Sequence, residues 1–318
     1  MNINYHSGVD DNTNNMNCAI GIEIGDNQTQ CALLREDGNV LFYRAYPKDT
    51  DGEMLLISVE NVIRQALSFS KEHSLSVAGI GVGVPAIVED GVVIGATEHL
   101  PELFGCDVKK KLLLSFGLPV YIENDAHMVA MAENCYGSAI TSSNVVFLTV
   151  GSGIGGALKL NGHLYSGNRN RGGELGHMII NSGGMECECG GKGCLQAYAS
   201  IDALLKHYCE LAKIKHSEIT QEVFLEAYEQ QTESALSAMN WHIKYLSEGI
   251  ASLINCLAPE KVIVNCQFNE IGDFYINALK EHVLSVSLPA ASENVVFSAG
   301  FFGKKSGCIG AATMVFVN

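Results

Sequence analysis

Residues 144–160 read NVVFLTVGSGIGGALKL: an apolar run, a glycine turn and a second apolar run. Short apolar runs separated by turn residues predict a strand hairpin rather than a helix. Residues 18–34, CAIGIEIGDNQTQCALL, use the same grammar near the other end of the chain. There Cys18–Ile24 reads as a strand, Gly25-Asp26-Asn27-Gln28 as a turn and Thr29–Leu34 as a second strand. The turn Arg35-Glu36-Asp37-Gly38-Asn39 then leads into a third strand, Val40–Tyr46.

Beyond the first hairpin, Leu55, Leu56, Val59, Val62, Ile63 and Leu67 share one side of a helix over 53–73. Val77–Val84 is almost continuously apolar, as a strand covered on both faces should be. A helix is expected over 107–116, a strand over Pro119–Ile122 and a helix from Ala126. In the second half, Ala157–Leu160 reads as a strand and 233–258 as a long helix. Lys261–Val264 reads as a buried strand, Val283–Pro289 as a loop, Val295–Ser298 as a strand and Gly307–Val315 as a small-residue terminal helix. Two halves that each open on a hairpin and pass into strands and helices predict a duplicated α/β fold with a cleft between two domains. The expected division is a loose Asn/Asp-rich tail at 1–17 and an N-terminal α/β domain at 18–126, to which helix 305–318 returns. A C-terminal α/β domain at 127–304 completes it.

Composition narrows the class. The chain has 318 residues, 47% hydrophobic and 17% charged, which excludes disorder as its main state. With Lys+Arg 20 and Asp+Glu 35 the net charge is −15, which repels phosphate backbones and argues against general nucleic-acid binding. No apolar run approaches the roughly 20 residues that span a bilayer. No basic-then-apolar leader opens the chain. Three of the eleven cysteines cluster and eight are scattered, a pattern suited to a reducing cytoplasm and one metal site. The scattered ones (Cys18, Cys31, Cys106, Cys135, Cys209, Cys256, Cys266, Cys308) read as small buried apolar residues. Trp241, in the long helix, reads as packing.

Three stretches carry chemistry. In ECECGGKGCLQ (186–196), Cys187, Cys189 and Cys194 place three soft ligands in eight residues, with glycines that let the backbone fold around one ion. His177 in Gly173-Glu174-Leu175-Gly176-His177 is the candidate fourth ligand of a structural zinc that would hold Glu174 in place. In Tyr121-Ile122-Glu123-Asn124-Asp125 an apolar strand runs into a helix, so Asp125 stands at a helix N-terminus. It is either a helix cap or a general base kept ionised by the helix dipole. Gly151-Ser152-Gly153-Ile154-Gly155-Gly156 formally fits a dinucleotide fingerprint, but strand-like ALKL follows where a helix is required. A glycine hairpin approaching a phosphate, or a plain tight turn, remains.

Together these stretches resemble the ROK family of sugar kinases and sugar-responsive repressors. The matching pieces are GVGVPA (81–86), ENDA (123–126), GSGIGGA (151–157), GELGHM (173–178) and CECGGKGCLQAYAS (187–200), in the family's order. The resemblance extends from about residue 18 to the end. It implies an actin-like ATPase fold with a sugar in the interdomain cleft, and ATP with Mg²⁺ as phosphoryl donor. Asp125 then matches the catalytic base, and Asn124, Glu174, His177 and Pro85 match sugar contacts. Gly151, Ser152, Gly153 and Gly155 match the second phosphate loop, while His177, Cys187, Cys189 and Cys194 match the zinc ligands. A homodimer is expected, with no nucleic-acid or membrane partner.

Departures from the pattern keep two activities open. The first phosphate loop, Asp-x-Gly-Gly-Thr in the family, is Glu23-Ile24-Gly25-Asp26-Asn27, so an acid stands where a polyphosphate should approach Gly25, Asp26 and Asn27. Val264-Asn265-Cys266-Gln267-Phe268 replaces a Gly-rich turn beside the adenosine, where Phe268 would crowd or stack on the base. His99 stands where the family offers a sugar-binding Asn, Gln196 where it offers a Glu, and Ala86 where a Gly is common. One reading is an ATP-dependent hexose or N-acetylhexosamine kinase. The other is a non-catalytic sugar sensor working through a protein partner. The roughly 17 residues before the first strand are too few for a helix-turn-helix, against a conventional repressor.

Overall fold

The structure is a computed structural model that describes residues 17–25, 28–47, 52–95, 100–216, 219–268 and 273–318. The expected tail at 1–17 lies outside these residues except for Asn17.

The first half contains β1 (Cys18–Ile24), β2 (Gln28–Arg35), β3 (Val40–Pro47), α1 (Gly52–Glu72) and β4 (Val77–Val84). A small hairpin of β5 (Ile87–Glu89) and β6 (Val92–Gly95) follows, then α2 (Val108–Phe116), β7 (Val120–Asn124) and α3 (Asp125–Cys135). The second half contains β8 (Val145–Val150), β9 (Ile154–Leu160), β10 (His163–Tyr165), α4 (Gln196–Ala199), α5 (Ile201–Ala212), α6 (Gln221–Glu229) and α7 (Glu233–Leu257). It ends with β11 (Lys261–Cys266), α8 (Phe274–Val286), α9 (Pro289–Ser292), β12 (Val296–Ala299) and α10 (Ser306–Val317).

The strand orders are β3-β2-β1-β4-β7 and β10-β9-β8-β11-β12. In both sheets the first three strands form an antiparallel meander, and the two that follow run parallel to the first. The duplication expected from the two hairpins is therefore present strand for strand.

Hydrophobic patterning explains the layers. Ile20, Ile22 and Ile24 of β1 pack with Leu55, Val59 and Ile63 of α1 on the outer face of the first sheet. On the other face, Ala19 and Leu34 meet Ile309 and Ala312 of α10 and Ala132 of α3. Ala130 of α3 packs with Val145, Phe147, Ala157 and Ile263 of the second sheet. That sheet's outer face is covered by α5, α7 and α8 through Leu204, Leu246, Ile250 and Leu279. Helices α3 and α10 thus form a shared middle layer, and small residues allow it. A Cβ on Gly21 would overlap the Cys308 carbonyl oxygen, and one on Gly81 the Ala311 carbonyl oxygen, so α10 lies flush on β1 and β4.

Three expectations need correction. Val283–Pro289 is not a loop as far as Val286, because Ile276, Leu279 and Val283 keep helical spacing and are buried in α8. The stop comes from Pro289, which holds Leu288 in an extended conformation. Phe268 neither crowds nor stacks on a nucleotide: it is buried among Phe224, His242 and Tyr275. Among the scattered cysteines, Cys256 is exposed and Cys106 and Cys135 are half-buried. Trp241 does pack, stacking on His207 at 4.5 Å and lying edge-on to Tyr245. No helix among the described residues is long and apolar enough to cross a membrane.

Candidate functional site

Strand carboxyl ends build the site. β1 ends at Glu23–Gly25, β4 at Pro85–Ala86 and β7 at Asn124–Asp125, all facing the Gly151–Gly155 turn after β8 and the Asn265–Gln267 end of β11. Between them lies a cleft of about 300 Å³ lined from both halves. Ligands of open α/β sheets settle at such strand ends.

Side-chain hydrogen bonds fix the β7–α3 corner. The Asn124 Oδ1 caps α3 by accepting from the Ala126 and His127 amides at 2.9 and 3.2 Å. Capping therefore falls mainly to Asn124, and Asp125 occupies the first helical position and lines the cleft. One Asp125 oxygen accepts from the Ala126 amide at 2.8 Å. The positive end of the helix dipole favours its ionised form. Asn124 also donates from Nδ2 to the Ala86 carbonyl at 3.4 Å, tying β7 to the end of β4.

Glu23 borders the same cleft. Burial and the neighbouring Asp125 charge push its carboxyl up to about 8, against the pull of the Cys308 amide. Gln30 donates to it at 3.2 Å and accepts from the Tyr43 hydroxyl at 2.5 Å. The shift favours the protonated Glu23 carboxyl, which lessens the negative charge beside Asp125.

On the opposite wall, β8 and β9 form a hairpin with Gly151–Gly153 at its tip, closed by a bond from the Gly151 amide to the Gly153 carbonyl at 2.9 Å. The strand that follows, β9, is antiparallel to β8, so no dinucleotide-type helix is present. Gln196 stands beside Gly153, where an added Cβ would lie 3.4 Å from the Gln196 Oε1. Lys304, ahead of α10, is the one Lys or Arg among the described cleft-lining residues. Sequence reasoning missed it; the signal available was the pair Lys304-Lys305 just before the small-residue helix.

Glu174 and His177 line the cleft from the loop after β10. The donor atoms of His177, Cys187, Cys189 and Cys194 all lie within 4.8 Å of one another. The Cys189 and Cys194 sulfurs are 3.7 Å apart, and the Cys187 sulfur is 3.8 Å from His177 Nδ1. Sulfurs about 2.3 Å from a tetrahedral zinc would sit about 3.8 Å apart, so the donor set fits such an ion. With Nδ1 turned to the thiols, the Nε2 of His177 is left for the cleft. Burial and the neighbouring thiols push the Cys194 thiol up to about 12, a direction a bound divalent cation would reverse. The Tyr198 hydroxyl accepts from the Met185 amide at 2.6 Å and from Asn181 at 3.1 Å, stapling the loop from below.

Asp125, Asn124, Glu174, His177, Gln196, Pro85, Gly25, Gly151, Ser152, Gly153 and Gly155 all border this one cleft. Asp26, Asn27 and His99 lie outside the described residues.

The sequence model of the ROK family matches residues 19–317, and the chain belongs to that family. Its fold is the actin-like ATPase fold of ROK proteins. A glucokinase from Halalkalibacterium halodurans is 28% identical over 312 residues, covering 93% of this chain and 94% of that protein. A xylose repressor from Bacillus spizizenii is 25% identical over 298 residues, covering 93% of this chain and 76% of the repressor. Among solved structures, a ROK family glucokinase from Streptomyces griseus in complex with glucose and AMPPNP matches with a TM-score of 0.84. It is 23% identical and covers 95% of this chain and all of that one, a likeness that speaks to the fold.

Proposed function

We propose that this chain is an ATP-dependent kinase for a hexose or an N-acetylhexosamine. The observation that carries the reading is convergence: the Asp125 carboxylate, the polar groups of Asn124, Glu174, His177 and Gln196, and the glycine hairpin at 151–155 share one cleft. Asp125 accepts the proton of the attacking sugar hydroxyl as that oxygen bonds to the γ-phosphorus of ATP, while the bond from that phosphorus to the bridging oxygen breaks and ADP leaves. Glu174, Gln196 and the Nε2 of His177 orient the sugar, and Pro85 shapes its pocket. The hairpin amides and Lys304 face the polyphosphate, and Gly25 lies on its other side. Bound Mg²⁺ supplies charge neutralisation on the phosphates, which is most of what phosphoryl transfer needs beyond positioning. The cysteine cluster with His177 holds a structural zinc. The two sheets with their helices act as lobes that close on the sugar, and two copies of the chain pair as a homodimer in the cytoplasm.

A second reading, a sugar sensor without turnover, is favoured by Asp26 in the first phosphate loop and by xylose repressors among the relatives. Coupled ADP release with Mg-ATP over a panel of aldohexoses and N-acetylhexosamines, run beside calorimetry, separates the two. The kinase reading expects sugar-dependent ADP release. Binding of a sugar with no ADP from any member of the panel replaces it with the sensor.

A further inference from the structure

Residues 166–172 form a strap that leaves β10 in the second half and crosses to the first. Arg169 and Asn170 are consecutive non-glycine residues in the left-handed region, at φ 55° and 62°. Such a backbone persists only where its surroundings hold it. Here it is held at three points. Arg169 and Arg171 both pair with Glu89 of β5, the latter at 2.7 Å. Asn170 donates from Nδ2 to the Glu123 carboxylate at the end of β7. His127 of α3 reaches the Gly172 carbonyl with Nε2 at 3.2 Å and Glu123 Oε1 with Nδ1 at 3.5 Å.

The third point has a chemical consequence. Glu123 also accepts from the Asn124 amide at 2.8 Å, so its carboxylate is surrounded by donors. Both ring nitrogens of His127 therefore face acceptors, a carboxylate and a carbonyl. A neutral imidazole donates from one nitrogen only; the imidazolium donates from both. The next residue, Gly173, lies directly on the ring: at φ 91°, a Cβ there would be 2.8 Å from His127 Nε2. Glu174 follows immediately. We propose that His127, held as an imidazolium by Glu123, is the positioning residue that pins the strap to the β7–α3 corner and so holds Glu174 opposite Asp125. The consequence for sugar binding rests on the kinase reading of Glu174.

The charged groups that face His127 are Glu123 from β7 and Glu174 from the end of the strap, with the Gly172 carbonyl beside them. Burial pulls the His127 value down, but Glu123, Gly172 and Glu174 outweigh it, and the net direction is above 6.5. The pinning is then complete below that value and is lost as pH rises through the folded-state value.

The test uses the full chain. Imidazole NMR on histidine-labelled protein, from roughly pH 5 to 9, follows the protonation of His127 directly. Amide exchange protection of 166–173 follows the strap, and calorimetry with D-glucose follows the site. Wild-type His127 should titrate above its ordinary value, and strap protection and glucose affinity should decline together across that titration. His127→Gln should weaken glucose binding about tenfold at the acid end, the loss expected for one charge-assisted contact, and leave a flat pH profile. A His127 that titrates below its ordinary value in the wild type overturns the proposal. So does strap protection that is pH-independent or unchanged in His127→Gln. If glucose binds neither protein, the sugar-site reading fails for that ligand, while the NMR and exchange data still decide the role of His127.

Discussion

Replacing Glu23 with Gln should stabilise this protein, increasingly so as pH rises. The Glu23 carboxyl ionises at 4.5 in an ordinary setting and at about 8 in the folded chain. Below the lower value both states carry the proton, and the group costs nothing. Above it the unfolded chain releases the proton while the folded chain keeps it, so folding stability falls by about 1.4 kcal/mol per pH unit until the folded group ionises too. At pH 7 the accumulated cost comes to about 3 kcal/mol, an upper figure because water in the cleft reaches the carboxyl. The side-chain amide of the Glu23→Gln variant retains an acceptor for the Gln30 and Cys308 donors and removes the ionisation. Urea unfolding followed by circular dichroism at several pH values would measure the difference. It should be near zero at the acid end and grow through neutrality. A difference of constant size at all pH values, or one that shrinks as pH rises, would refute the burial and Asp125 repulsion assigned to Glu23.

Elemental analysis should find one zinc per wild-type chain and none in Cys189→Ser, and the variant should loosen 173–198 in amide exchange; full zinc occupancy in the variant would contradict the four-ligand assignment. Gly21→Ala should cost about 3 kcal/mol, because the added methyl meets the Cys308 carbonyl of α10 and backbone must move. An unchanged melting temperature would show that α10 does not lie flush on β1.

Much of the fold was legible because both halves announce themselves with the same hairpin grammar. The strands β1, β4, β8 and β11 are short apolar runs bounded by turn residues, and sheet covering needs little else. The candidate cleft was legible for a different reason: Asp125, Glu174, His177 and the clustered cysteines stand in the ENDA, GELGHM and CECGGKGC stretches, and Asp125, Glu174, His177 and Cys189 all border it. What escaped lay in side-chain direction. Val262, Val264, Cys266 and Phe268 belong to one cluster while Ile263 belongs to another, so Phe268 continues the parity that faces the helices. Strand alternation carried through the end of β11 would have turned Phe268 inward from sequence alone. The continuation of α8 to Val286 was hidden by its short polar interruptions, Lys280-Glu281-His282 and Ser285, which sit on the exposed side of a helix whose buried side is regular. Hairpin β5–β6 and helix α6 gave little periodic signal, whereas Ile201, Leu204, Leu205, Tyr208 and Cys209 of α5 keep a helical spacing that was open to reading and went unused. The strap at 166–172 had no local signature, since its conformation comes from Glu89, Glu123 and His127, all distant in sequence.

The most direct measurement of the central claim is turnover and sugar affinity in Asp125→Asn, read against wild type with the sugar that drives ADP release. Asn keeps the size and the hydrogen-bond acceptor but cannot take up the hydroxyl proton at neutral pH. The account predicts that kcat falls by about 10²–10⁴-fold, the usual contribution of a positioned base, while the sugar dissociation constant stays nearly unchanged. Turnover at the wild-type rate would remove Asp125 from the base role and with it the mechanism built on this cleft.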